Sequence, residues 1–125
     1  MNINKNGVKS TFFAVYDGHG GTSCCDFLRD YLHEYIINDK NFPEDPKKAI
    51  VEGIHKVEAK FVELVKKKFL KTNQLDRSGS CAIIVMIVGR ECYTVNIGDS
   101  RAFLSKNNGK TISHLSRDHK PTDEK

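Results

Sequence analysis

The chain has 125 residues and a mass of 14.1 kDa, the size of one domain and too short for two domains with a cleft between them. Hydrophobic residues at 38%, charged residues at 29% and a mean hydropathy of −0.48 exclude a membrane-embedded chain and a disordered one. The net charge of +4 is mild, and its densest cluster, Lys66, Lys67, Lys68 and Lys71, has only Phe69 beside it, which describes a solvated helix face and not a nucleic-acid footprint.

Met1 to Ser10 carries no apolar run, and Asn2 stands where N-myristoylation needs glycine. No signal peptide, lipid anchor or membrane contact is expected, and the expected compartment is the cytosol or nucleus. Cys24, Cys25, Cys81 and Cys92 form neither a C-x-x-C pair nor a disulfide framework, so reduced thiols are expected.

Phe12-Phe13-Ala14-Val15-Tyr16 is a continuous apolar, β-prone run, read as a strand buried on both faces that stops at the tight loop Asp17-Gly18-His19-Gly20-Gly21. From Thr22, apolar residues at steps of three and four predict an amphipathic helix to about Asn38, with Thr22 or Ser23 as its cap. Residues 38–44 read as a loop. Asp45-Pro46 then opens a second helix of some twenty residues, whose stripe is Ile50, Ile54, Val57, Phe61 and Leu64, with Gly53 inside it.

Cys81 to Val88 is eight apolar residues, and Gly89-Arg90 can turn it back along Glu91 to Ile97. Paired residues would then sum to 179, which places Cys92 opposite Ile87 and Cys81 opposite Gly98, so those cysteines are not partners. Arg101 to Ser105, a turn at Asn107-Asn108-Gly109 and a return along Lys110 to Leu115 complete an antiparallel meander of about four strands. The fold class is α+β, with helices layered on an antiparallel sheet. The strand Cys81 to Val88 has no polar face and calls for cover on both sides. A cover from outside these elements, self-association through an exposed sheet face included, is therefore expected.

Two acidic turns could carry chemistry. Asp17-Gly18-His19 sets a carboxylate, an unencumbered carbonyl and an imidazole at a strand end, and hard cations such as Mg²⁺ or Mn²⁺ take oxygen donors of this kind. Gly98-Asp99-Ser100-Arg101 is the second. Either alone could be an ordinary turn in which Asp bonds neighbouring amides. Four segments in this order change the weighing: Phe12-Phe-Ala-Val-Tyr-Asp-Gly-His-Gly-Gly21, Ser78-Gly-Ser-Cys-Ala82, Asn96-Ile-Gly-Asp-Ser-Arg-Ala102 and Leu115-Ser-Arg-Asp-His-Lys-Pro121. Together they closely resemble the metal-dependent type 2C protein serine/threonine phosphatases, from about Phe12 to Lys125.

The resemblance implies a catalytic domain built as an antiparallel β-sandwich flanked by helices, of which residues 1–125 supply about half. It implies hydrolysis of phosphoserine and phosphothreonine on protein substrates with two Mn²⁺ or Mg²⁺ ions. Asp17 matches the aspartate that bridges the two ions, Gly18 the residue whose carbonyl binds one of them, and His19 the general acid for the departing oxygen. Asp99 matches an aspartate near a further metal position. Cys81 departs from the family pattern, which has threonine there. The family also draws an upstream arginine and acidic pair, and downstream aspartates, that these residues do not contain, so the 125 residues alone are expected to be inactive. The alternative reading is a noncatalytic, phosphatase-like binding or regulatory module. His33 and His55 are read as helix-surface residues, and His114 and His119 lack metal-site spacing.

Overall fold

Asn6 and Gly7, at φ 52° and 79°, turn the chain between β1 (Asn2–Lys5) and β2 (Val8–His19) in the computed structural model, which describes residues 1–98 and 102–116. Two successive residues at positive φ are what a two-residue hairpin turn needs, and Asn-Gly is its favoured pair. This hairpin was unread in the sequence, where residues 1–10 carry no apolar run. Reciprocal backbone hydrogen bonds tie Met1 to Phe12, at 3.1 and 2.9 Å.

The chain divides into two compact units, one of Met1–Asn4, Lys9–Asp17 and Cys81–Lys125, the other of Lys5–Val8 and Gly18–Ser80. The first holds most of a four-stranded sheet in the order β1-β2-β3-β4, with β3 at Gly79–Val88 and β4 at Glu91–Ile97. Gly89, at φ 60°, makes the expected turn, and the register from Val88↔Glu91 to Ala82↔Ile97 keeps the predicted sum of 179. Cys24, Cys25, Cys81 and Cys92 are in no disulfide among the described residues. The expected four-strand meander divides, however. β5 (Phe103–Lys106) and β6 (Thr111–His114) form a separate two-stranded sheet turned by Asn107, Asn108 and Gly109, all at positive φ.

Side chains alternate across a strand: on one face of β3 Ala82, Ile84, Met86 and Val88 are buried, whereas on the other Ile83 is buried, Val85 half-buried and Ile87 exposed. β2 follows suit, with Phe12 buried but Phe13 55% and Val15 60% exposed. The expectation of a β2 buried on both faces is therefore corrected. A continuous apolar run puts half of its side chains on each face, and among the described residues the second face is only partly covered, with Ile83 buried but Phe13, Val15 and Ile87 exposed. Phe13, Val15, Ile83 and Val85 line an open groove of about 530 Å³.

In the second unit, α1 (Ser23–Ile37) packs on α2 (Pro46–Thr72). Leu32, Ile36, Phe42, Ala49, Ile50 and Val57 are buried here. Phe27 meets Phe61 with ring centroids 5.5 Å apart. Between the helices, buried Asp39 accepts from the Asn41 amide and side chain, both at 2.8 Å, and pairs with Lys56 Nζ at 3.5 Å. Asp45 caps α2 as the sequence predicts, accepting from the Lys48 amide at 3.3 Å ahead of Pro46. The helix runs 27 residues, beyond the expected twenty. Its last turns are good helix formers, and the Glu63–Lys67 pair at 3.0 Å supports them where the apolar stripe ends.

Candidate active site

β2 does not stop at Asp17. The strand continues through Gly18 and His19, and the turn falls at Gly20 and Gly21, at φ 66° and 122°. Asp17 ends one segment of the first unit and Gly18 opens one segment of the second, and the covalent connection alone makes the carboxylate and the carbonyl neighbours. Asp17, Gly18 and His19 are all exposed, and among the described residues the Asp17 carboxylate takes no hydrogen bond or ion pair.

Two glycines are imposed by what lies against them. A Cβ on Gly18 would come within 2.7 Å of the Cys25 Sγ, which donates to the Thr22 carbonyl at 3.3 Å. A Cβ on Gly20, itself at positive φ, would meet the Arg77 carbonyl at 3.0 Å. The glycine loop is thus pressed between the first turn of α1 and the chain entering β3.

Thr22 occupies the cap position of α1, as expected, but makes no side-chain cap bond. The first turn is served instead from 54 residues away, where the Ser78 Oγ accepts from the Cys24 amide at 3.1 Å. Asp76 accepts in turn from the Ser78 amide at 2.9 Å. The Ser78 amide, with the Ser78 and Ser23 hydroxyls behind it, holds the Asp76 carboxyl below its ordinary range. A carboxylate at a helix N-terminus also meets the positive end of the helix dipole. Burial, reinforced by Cys25 and Asp76, pushes the Cys24 thiol up, and burial alone pushes the Tyr16 hydroxyl up to about 12. The sequence did not single out Asp76 or Gly79. Asp-x-Ser is a local turn pattern, but nothing near it in the chain points to α1 as its target.

Of the predicted site residues, Asp17, Gly18 and His19 follow one another at an exposed strand end, and Asp99 lies outside the described residues, as does His119, which was not assigned to the site. His55 is exposed on α2, and His33 is half-buried on α1. Among the described residues no group of three or more His, Cys, Asp or Glu could hold a metal ion. The Asp17 carboxylate and Gly18 carbonyl are hard oxygen donors suited to Mg²⁺ or Mn²⁺, yet too few to enclose an ion by themselves.

Comparison with known proteins decides the family. The family model of Protein phosphatase 2C matches residues 1–125. The chain belongs to the protein phosphatase 2C family. It is 36% identical over 113 residues to Probable protein phosphatase 2C 57 of Oryza sativa subsp. japonica, covering 90% of this chain and 29% of that protein. Probable protein phosphatase 2C 7 of the same plant is 38% identical over 109 residues, 87% of this chain and 27% of the relative. Probable protein phosphatase 2C 22 of Arabidopsis thaliana is 33% identical over 126 residues, 98% of this chain and 30% of the relative. The chain therefore spans under a third of the length of these curated relatives. As a protein phosphatase 2C chain it has the α+β fold with an antiparallel sheet and two helices, and none of its described helices is long and apolar enough to cross a membrane.

Proposed function

We propose that this protein phosphatase 2C chain takes part in hydrolysing phosphoserine and phosphothreonine esters on protein substrates, with His19 as the general acid. The observation that supports this reading is the exposed Asp17-Gly18-His19 run at the end of β2, followed by a glycine turn that packs at Gly20 against the Arg77 carbonyl. Water adds to phosphorus as the bond from phosphorus to the seryl or threonyl oxygen breaks, and the His19 imidazolium gives its proton to that departing oxygen. Histidine suits the task because its ordinary pKa of about 6.5 lies near neutral pH.

The Asp17 carboxylate and the Gly18 carbonyl would be this chain's share of a Mn²⁺ or Mg²⁺ centre. Such ions, when bound, lower the pKa of a water and hold phosphoryl oxygens. A pair of near-octahedral ions takes on the order of ten to twelve oxygen ligands, so the 125 residues alone are proposed to be inactive. The second reading is a noncatalytic module that binds phosphorylated protein without turnover, and substitution of the remaining metal-binding aspartates in the intact protein would favour it.

Phosphate release from a phosphopeptide by the intact protein tests the proposal. Asp17→Asn is expected to remove nearly all Mn²⁺-dependent activity, and activity within about threefold of wild type would end the assignment. His19→Ala should lose far more on the phosphopeptide than on p-nitrophenyl phosphate, whose leaving group needs little protonation. Saturable phosphopeptide binding with no turnover in wild type would select the binding module.

A further inference from the structure

The residue beneath His19 is a glycine for which the backbone gives no reason. Gly79 opens β3, and its φ lies outside the left-handed region, so any L-residue could adopt its conformation. Glycine at a strand position costs roughly 0.5–1 kcal/mol relative to alanine, and β3 is otherwise rich in isoleucine and valine. What a side chain here would meet is the His19 ring, which would have to shift to admit it. A Cβ on Gly79 would lie 2.5 Å from His19 Nε2, 2.9 Å from Cε1 and 3.4 Å from Cδ2, and these are the three nearest atoms it would meet.

The position of Gly79 is itself secured. Ser78, the residue before it, accepts from the Cys24 amide and donates its own amide to Asp76. Asp76 accepts further from the Ser78 and Ser23 hydroxyls. One residue earlier, the Arg77 carbonyl lies 3.0 Å from where a Cβ on Gly20, the residue that follows His19, would stand. Residues 76–79 are thus bonded to the first turn of α1 on one side and carry the imidazole on the other.

We propose that Gly79 is a positioning residue for His19, a seat without a side chain on which the imidazole rests, held in place by Asp76 and Ser78. For the reaction this rests on the reading of His19 as general acid, because a methyl group on the seat would lift the ring by about 1 Å to reach ordinary contact. A displacement of that size is enough to cost a well-placed catalytic group about 100-fold. The contact itself is a matter of packing and holds whatever His19 does.

Gly79→Ala, His19→Ala and the double variant, made in the intact protein, separate these questions. On a phosphopeptide, Gly79→Ala is expected to lower kcat about 30- to 100-fold with KM within about threefold, and to lower kcat on p-nitrophenyl phosphate by less than about fivefold. In proteins labelled with ¹³C-histidine, the His19 ring cross-peak should move. The melting temperature should fall by about 5 °C in Gly79→Ala, and the same substitution should cost nothing on the His19→Ala background. An unmoved His19 cross-peak or an equal melting penalty on both backgrounds would overturn the seat, and an unchanged kcat beside a moved cross-peak would overturn its part in the reaction. If Gly79→Ala fails to fold, folding of the double variant supports the proposal and failure of both overturns it. Absence of turnover in wild type would instead end the phosphatase reading, and the cross-peak and melting cycle would still decide the seat.

Discussion

Ser10 lies in β2 at 3% exposure, and among the described residues its hydroxyl has no hydrogen-bond partner. A buried hydroxyl left unpaired costs about 1–3 kcal/mol, so Ser10→Ala is expected to stabilise the protein by roughly 0.5–1 kcal/mol in urea unfolding. A loss of stability would show that the hydroxyl is bonded after all. The thiols differ for a related reason. Burial keeps Cys24 protonated at neutral pH, and the thiolate is the reactive form, whereas Cys92 is exposed on β4. Iodoacetamide at pH 7.5 followed by mass spectrometry should therefore label Cys92 well before Cys24, and the reverse order would refute the burial of Cys24.

Between elements, contact geometry overrides local propensity. Gly53 sits mid-helix in α2, where alanine would ordinarily gain about 1 kcal/mol. Here a Cβ would lie 2.7 Å from the Ile36 Cγ1 and 3.2 Å from the backbone of Ile36 in α1. Gly53→Ala should accordingly lower stability by about 1–3 kcal/mol, since the helices must separate, and a stabilised variant would show that α1 yields instead. At the N-terminus of α1, the depressed pKa of Asp76 makes a pH-dependent claim. A carboxyl whose pKa is lowered on folding stabilises above its unfolded value near 4, and that contribution is lost as pH falls through the folded value. Asp76→Asn is expected to cost about 1 kcal/mol at pH 7, with the gap to wild type closing as pH drops below about 4. A gap that stayed constant down to pH 2 would remove the charge from the account.

At the scale of the whole chain, the sheet face left partly open among the described residues dominates. Phe13 and Val15 are more than half exposed, and burying side chains of this kind is worth about 1.5–3 kcal/mol each. Such a face invites apolar contact. The 125-residue chain by itself is expected to enhance the fluorescence of anilinonaphthalene sulfonate and to scatter light as a mass above 14.1 kDa. Phe13→Ser with Val15→Thr should diminish both signals, and a dye-silent 14.1 kDa monomer before substitution would show that the face is covered within the chain.

Features settled over short stretches were legible in the residues. The Asp45-Pro46 start of α2, the Gly89-Arg90 turn with its register, and the Asp17-Gly18-His19 run at a strand end depend on capping, φ preference and side-chain alternation, each acting within a few residues. Asn6-Gly7 carried the same kind of signal for the β1–β2 hairpin and was passed over because the flanking residues are polar. Other features exist only because distant residues meet. Ser78, not Thr22, serves the first turn of α1, and Gly53 is glycine because of Ile36. Gly79 is glycine because of His19, and β5 with β6 pairs apart from the larger sheet. A sequence states which residues can make a turn, a cap or a strand. Which partner arrives at 2.7 Å from a missing Cβ is decided by packing, where steric repulsion between residues far apart in the chain selects the side chain that fits.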